Sequence, residues 1–172
     1  MPRIAFYTFG ILREPYGHPQ VQGFFDRIDS VFEQAKNSEG FIALEDGTWG
    51  EYVWPRFYIK EKHAGAPATL SLWRDIESVC AFAYKNLHGE ALKLREEWAV
   101  KPEWPTYVAW WVEDDHIPTL EEASRRLEHL HDNGSSPFSF NFKKSFDAMG
   151  NPKDLDRELL NERINKNQSK LS

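Results

Sequence analysis

Three side chains that can move or stabilise a proton stand at helical spacing in the middle of the chain. Tyr84, His88 and Arg95 are separated by four and seven residues, so on a helix they share one face. An imidazole titrates near neutral pH, and a neighbouring guanidinium can hold a developing oxyanion. The spacing predicts an acid/base site in which His88 carries the proton, Tyr84 bonds to it and Arg95 stabilises the anion.

A purely structural role also fits these three residues. Tyr84 and His88 can lie at the edge of a core and bond to backbone groups, while Arg95 pairs with Glu96 or with a carboxylate of a partner chain. Residue type and spacing leave both interpretations open.

Another histidine follows a run of carboxylates. His116 comes directly after Glu113, Asp114 and Asp115, so a carboxylate can orient its imidazole as a base. A solvated loop between a strand and a helix has the same composition. His116 is therefore a fourth candidate catalytic residue, with the loop as the alternative.

Motifs for metals and nucleotides are missing from the sequence. It contains neither H-E-x-x-H nor C-x-x-C, and neither G-x-G-x-x-G nor a P-loop. Cys80, the single cysteine, shares a helical face with Ile76 and Ala83, which favours a small core residue over a nucleophile. We expect no metal and no cofactor.

Composition narrows the class of protein. The 172 residues carry 21 basic and 27 acidic side chains, and the net charge of −6 argues against binding to nucleic acid or to an anionic membrane. No apolar run approaches the roughly 18 residues of a spanning helix, and the N-terminus lacks a signal-peptide profile. We expect a soluble cytoplasmic protein. Its 7 Trp, 6 Tyr and 12 Phe suggest a pocket wall as well as a core.

Strands and helices alternate along the chain. Alternating or β-rich segments predict strands, and apolar residues at helical offsets predict a helix over Gln20–Lys36, another from Ile76 towards Trp98, and a third that Thr119 caps and Gly134 ends. The predicted strands are Arg3–Phe9, Phe41–Leu44, Pro67–Trp73, Thr106–Val112 and Ser139–Phe142.

This order predicts an α+β, ferredoxin-like fold, β-α-β-β-α-β with a third helix and a final strand. Strand residues of both parities are apolar, Val108 and Trp110 as well as Ala109 and Trp111, so the second face of the sheet also needs a cover. A homodimer through the sheets is the simplest one. The domain would span residues 1–144, and the polar extension 145–172 would be partly helical or disordered.

The loop over residues 46–66 is long and aromatic for a connection between strands. It contains Trp49, Tyr52, Trp54, Phe57 and Tyr58. Loops of this length are often functional, which favours a lid over an apolar ligand. An inserted hairpin over 52–59 that embraces a second subunit is the alternative.

A string of residues in one order and spacing resembles a family of unknown function in the dimeric α+β barrel superfamily, whose relatives include antibiotic-biosynthesis monooxygenases. The resemblance covers roughly Ile4 to Phe142 and implies a pocket between sheet and helices that holds a small apolar molecule or haem. The residues that carry it are Leu72-Trp73, Phe82-Ala83-Tyr84, His88, Arg95, Trp98, Trp110-Trp111-Val112, His116-Ile117-Pro118-Thr119, Glu122-Ala123 and Arg126-Leu127.

The function expected from these observations is that of a cofactor-independent enzyme, an isomerase, cyclase, lyase or monooxygenase-like protein. It would act on an apolar, ring-containing or polyketide-like metabolite. The resemblance also leaves open a haem protein with His88 as ligand, and a protein that binds a hydrophobic ligand without changing it. Aromatic residues predicted to line the substrate site are Trp73, Trp110, Trp111, Trp54, Phe82, Trp98 and Tyr7.

Overall fold

A computed structural model describes residues 1–84 and 94–170 of the chain. The backbone forms four strands and five helices with defined bounds in these ranges, and residues 94–98 are also helical. In chain order the elements are β1 (Arg3–Phe9), α1 (Pro19–Phe25), α2 (Ile28–Asn37), β2 (Phe41–Leu44), β3 (Ala68–Trp73), α3 (Ile76–Tyr84), β4 (Tyr107–Val112), α4 (Leu120–Asn133) and α5 (Arg157–Ser169).

The four strands form one antiparallel sheet in the order β2-β3-β1-β4. In the centre, Ala5 of β1 lies opposite Leu72 of β3 and Trp110 of β4. All four strands were predicted from the sequence, to within one residue at each end. An α+β fold with a four-stranded antiparallel sheet is therefore confirmed.

One face of the sheet packs against α2 and α3. We call this the first core, and its centre is formed by Ile4 and Phe6 of β1, Trp73 of β3 and Val79 of α3. Asp75 begins α3 as the sequence predicts, because its carboxylate accepts hydrogen bonds from the backbone N–H and the hydroxyl of Ser78 at 2.7 and 2.6 Å.

The other face of the sheet is covered by α4 of the same chain. In this second core, Tyr7 and Trp110 pack under Leu127, and Trp49 and Phe57 of segment 45–66 close its margin. The apolar residues that favoured a dimer through the sheets are thus covered within the chain. The homodimer stays a prediction that rests on other grounds.

The helix predicted over Gln20–Lys36 is two helices. α1 ends at Phe25 and α2 begins at Ile28, and the Arg27 guanidinium donates a hydrogen bond at 2.7 Å to the carbonyl of Gly23. The physical reason is that the two halves pack in different places: Val21 of α1 contacts a separate cluster with Leu12 and Trp98, and Ala35 of α2 joins the first core.

Segment 45–66 contains no strand, so the predicted hairpin is wrong. The segment follows α4 along its length instead. The Ser124 hydroxyl donates a hydrogen bond at 2.6 Å to the carbonyl of Val53, and the Arg56 backbone N–H donates one at 2.7 Å to Glu128. Arg56 also pairs with Asp132. These contacts hold the segment against its own chain.

Local signals place α4 correctly, but the strand predicted after it is wrong. The Thr119 hydroxyl accepts a hydrogen bond from the Glu122 N–H at 3.1 Å, and the helix ends before Gly134, whose φ is +73°. Residues 139–142 make only isolated bridges, and in one of them Phe140 exchanges two backbone hydrogen bonds of 2.9 Å with Ala109.

The C-terminal extension forms α5, which packs on α3. At its N-terminal end, the buried Glu77 carboxylate accepts a hydrogen bond at 2.9 Å from the backbone N–H of Asp156. At its other end, the side-chain amide oxygen Oδ1 of the buried Asn167 accepts one at 2.7 Å from the backbone N–H of Glu39. The extension is thus part of the packed structure as far as residue 170.

Within residues 1–84 and 94–170, none of the helices is long and apolar enough to cross a membrane.

Candidate functional site

A pocket of about 270 Å³ opens at the end of the sheet where β4 begins. Its wall combines two cations, aromatic rings and prolines from four parts of the chain. We call it the Arg95 pocket, and it is lined by Arg95, Pro102, Trp104, Pro105, Thr106, Tyr107, Leu130, Asn141 and Lys143. Its volume lies just below the range of roughly 300–1,000 Å³ that is typical of ligand pockets.

Arg95 enters the pocket from the helical residues 94–98. Its side chain is half-buried, and Nη1 donates a hydrogen bond at 3.4 Å to the hydroxyl of Thr106. The helical turn is held because the Arg95 carbonyl accepts the backbone N–H of Ala99 at 2.8 Å. Arg95 therefore presents a guanidinium at the N-terminal end of β4.

Trp104 supplies an aromatic wall. It lies between Pro102 and Pro105, whose rings restrict the backbone on either side. The Trp104 ring stacks on Phe57 at 5.6 Å with an interplanar angle of 10°, and it meets Phe9 at 6.2 Å. Its indole N–H is buried with no acceptor among the described residues, which is uncommon for a buried donor.

Tyr107 and the turn at 141–144 form the other side. The Tyr107 ring lies 4.8 Å from the Phe142 ring and 5.7 Å from Phe6, and the Phe142 backbone N–H donates to its hydroxyl at 3.3 Å. The Asn141 side chain accepts the backbone N–H of Lys143 at 3.0 Å, which fixes the turn that carries this lysine.

Of the three residues predicted to share a catalytic face, only Arg95 can be located. His88 lies outside the described residues, and so does the side chain of Tyr84, whose backbone ends α3. The role of His88 as acid or base, or as a haem ligand, therefore stays a prediction.

His116 lies far from the Arg95 pocket. It follows the C-terminal end of β4, and the pocket lies at the N-terminal end of that six-residue strand, which is about 20 Å long. The exposed His116 imidazole donates a hydrogen bond from Nε2 to the Glu122 carboxylate at 2.7 Å, and the other oxygen of that carboxylate accepts one from Arg126 Nε at 2.9 Å. The structure does not bring His116 together with Arg95.

Glu122, the hydrogen-bond partner of His116, is also paired with Arg126. Burial disfavours the charge of Glu122, but hydrogen bonds from His116 and Arg126 outweigh this effect and hold the pKa of that carboxyl below its usual range. The Arg126 guanidinium also lies over the rings of Trp110 and Phe138, at 5.2 and 4.2 Å from their centroids. The cluster stabilises the start of α4.

The aromatic residues predicted to contact substrate lie elsewhere, in packed cores or on the surface. Trp73 stacks on Phe82 in the first core and donates to Ser71 at 2.8 Å, whereas Trp111 donates to the Phe146 carbonyl at 2.7 Å. Trp110 is fully buried in the second core. None of Trp73, Trp110, Trp111, Trp54, Phe82, Trp98 and Tyr7 lines the Arg95 pocket.

The phenols of Tyr7 and Tyr52 both have pKa values above the usual range of tyrosine. Burial, with a contribution from Tyr52, raises the pKa of Tyr7 far above the usual range of tyrosine. Burial, and then the negative charge of Glu45, raises the pKa of Tyr52 to about 12. Both phenols are neutral at physiological pH, so neither can serve as a base there.

The model of one protein family, described as a domain of unknown function, DUF3291, matches residues 3–156. The match covers most of the chain. The chain belongs to the DUF3291 family. No curated protein matches it. Among solved structures, a protein of unknown function from Nitrosomonas europaea is similar over 69% of this chain and 97% of that one, with 12% identity and a TM-score of 0.46.

Besides Pro102, Pro105 and Leu130, five residues that line the pocket of this DUF3291 protein were not predicted as site residues. A tryptophan flanked by Pro102 and Pro105, immediately before the strongest strand, is a signal that a rigid aromatic wall stands there. Lys143 and Asn141 carry no comparable signal, because they reach the pocket only through the fold. The residues missed are Trp104, Thr106, Tyr107, Asn141 and Lys143.

Groups of three or more metal-ligating side chains are missing from the part of the DUF3291 chain that the structure describes. Of the histidines located there, only His129 and His131 share an element, α4.

Proposed function

We propose that this DUF3291 protein is a cofactor-independent enzyme that binds a small ring-containing metabolite in the Arg95 pocket and acts on it by acid/base chemistry. The observation that supports the proposal is the position of Arg95. A residue chosen for its chemistry lines a pocket of about 270 Å³ together with the rings of Trp104 and Tyr107. Isomerisation, cyclisation, elimination and oxygenation of an activated enol or phenol all fit this arrangement.

Arg95 is proposed to stabilise negative charge that develops on the substrate. A guanidinium stays protonated throughout the physiological range, and its hydrogen bond to Thr106 restricts its orientation before substrate arrives. Preorganised donors of this kind contribute about 10²–10³-fold to rate in enzymes that form oxyanions. His88, seven residues before Arg95, is proposed as the acid or base, and Tyr84 as its hydrogen-bond partner.

The finer fold assignment is part of the same proposal. The strand order β2-β3-β1-β4 is the order of two interleaved β-α-β units, which supports a ferredoxin-like topology and the relation to barrel monooxygenases. The proposal also includes that the protein is a homodimer and is located in the cytoplasm. Exposed Val53 and Trp54 on segment 45–66 support an interface, and light scattering of the purified chain tests it by measuring the mass in solution.

The test is a screen for turnover with matched variants. A panel of cyclic ketones, enols and phenols is incubated with the wild-type chain, His88→Ala, His116→Ala and His18→Asn, and the products are separated by mass spectrometry. His18→Asn is the control, because asparagine keeps an acceptor at the start of α1, where the exposed His18 accepts the Gln20 N–H. We expect a loss of about 10²-fold or more in His88→Ala alone.

Other outcomes identify the alternatives. Turnover that survives in His88→Ala but falls in His116→Ala contradicts the assignment of the proton carrier. An absorption band near 400 nm in the purified protein that disappears in His88→Ala replaces the proposal with the haem protein. Retention of a panel compound that is recovered unchanged replaces it with a non-catalytic binding protein.

A further inference from the structure

We infer that the ligand of the Arg95 pocket is a ring compound that carries an anionic oxygen group. This inference rests on the proposed function for the identity of the site and names its substrate class. The evidence is the charge of the wall: Arg95 and Lys143 contribute two cations, and none of the described residues that line the pocket is acidic.

Two cations in one pocket are notable in a chain whose net charge is −6. Within residues 1–84 and 94–170, neither side chain has a carboxylate within 4 Å. By contrast, Arg56, Arg126 and Arg163 each pair with acidic side chains. A concave site lined by one sign of charge concentrates ligands of the opposite sign.

The uncharged part of the wall fits a planar ring. Two of the lining residues, Trp104 and Tyr107, are aromatic, and Pro102, Pro105 and Leu130 add apolar groups to the lining. Both aromatic rings are held by neighbours, Trp104 by Phe57 and Tyr107 by Phe142, so they can receive a ligand without first losing much rotamer freedom. The volume of about 270 Å³ suits a compound with one or two rings.

The donors favour oxygens that bear the charge. One nitrogen of the Arg95 guanidinium is engaged by Thr106, and the remaining N–H groups can bond to two oxygens of a carboxylate or phosphate. Lys143 adds a compact charge at the open side, where its side chain is exposed. Carboxylate and phosphate share this chemistry, and the probes below distinguish them.

The experiment measures binding by the full-length chain without turnover. Calorimetric titrations with benzoate, phenyl phosphate and benzamide are compared at low and high salt. Benzamide has the shape of benzoate without its charge. We expect benzoate or phenyl phosphate to bind at least about tenfold more tightly than benzamide, which corresponds to about 1.4 kcal/mol. High salt should weaken the binding of the anion and leave the binding of benzamide unchanged.

Variants assign this preference to the pocket. Lys143→Met and Arg95→Met should each lower the affinity for the preferred anion about tenfold. Arg95→Lys should retain part of this affinity because it keeps the charge. Lys144→Met is the matched control, since Lys144 is exposed in the same turn and does not line the pocket. Lys143 is also exposed, so its replacement tests the inference even if Arg95→Met does not fold.

Equal affinity for benzoate, phenyl phosphate and benzamide overturns the inference, and so does an equal effect of Lys143→Met and Lys144→Met. The two proposals fail separately. If the anion binds with the expected variant pattern while no panel compound is turned over, the anion site stands and the enzyme is wrong. If neutral rings are turned over through His88 and no anion binds, the enzyme stands and the anion site is wrong.

Discussion

Replacing Arg163 with methionine should loosen α5 from the rest of the protein. The Arg163 side chain is only 9% exposed, and its Nη2 donates to the Asp75 carboxylate at 2.8 Å. Nη1 lies 3.6 Å from the carboxylate of Glu39, which is part of the turn before β2. Methionine keeps most of the volume and removes the charge, so the two carboxylates lose their shared partner.

The size of the effect follows from what remains after the substitution. Breaking a buried pair by removing one partner costs about 3–5 kcal/mol. Asp75 keeps two hydrogen bonds from Ser78 and is itself half-buried, so we expect the lower end, about 3 kcal/mol in the free energy of unfolding. For a chain of this length, that corresponds to a fall in Tm of about 6–12 °C.

The assay is urea denaturation followed by circular dichroism, with Arg157→Met as the control. Arg157 lies in the first turn of the same helix, is exposed and has no ion pair among the described residues, so its replacement should change stability by less than about 0.5 kcal/mol. A difference between the two variants below about 0.5 kcal/mol refutes the argument that the Arg163 pair holds α5 in place.

The pH dependence gives an independent check on the same pair. Burial disfavours the charge of Asp75, but hydrogen bonds from Ser78 and Arg163 outweigh it and hold the pKa of Asp75 below its usual range. A group whose pKa is lowered by folding stabilises the protein above the unfolded pKa, about 3.9, and this contribution is lost as the pH falls through the folded pKa. The difference between wild type and Arg163→Met should therefore be constant from pH 7 to 5 and shrink below about pH 4.

Two further predictions concern buried positions near α3. Gly40→Ala should lower the free energy of unfolding in urea by more than about 2 kcal/mol, because φ at Gly40 is +79° and a Cβ would lie 2.1 Å from the hydroxyl oxygen of the buried Ser78. Gly10→Ala is the control, because the space around Gly10 is open. Burial, and then the charge of Glu77, raises the pKa of Cys80 to about 11, so at pH 8 iodoacetamide should label Cys80 far more slowly in the native protein than in urea, and equal rates by mass spectrometry contradict this.

Parts of the candidate site could be predicted from sequence and parts could not. Arg95 was chosen for its chemistry and does line a pocket, whereas Lys143 reaches that pocket from 48 residues further along the chain. Whether Arg95 and Lys143 line the same pocket depends on the positions of β4 and of the turn after α4 in the folded protein. Trp73 and Trp110 were predicted in the pocket wall and lie in the two cores instead. A core and a pocket wall both remove an aromatic ring from water, so the apolar character of a residue does not distinguish the two places.

Local chemistry determined most of the secondary structure of this protein. Short runs rich in apolar and aromatic residues defined β1 and β4, and the hydroxyl of Thr119 with the glycine at 134 defined both ends of α4, because these signals act over a few residues. Tertiary structure alone decided that α4 covers the second face of the sheet, that the helix over 20–36 divides and that Arg95 meets Lys143. Those outcomes depend on which apolar surfaces and charges find each other across long stretches of chain, and local spacing carries no information about that choice.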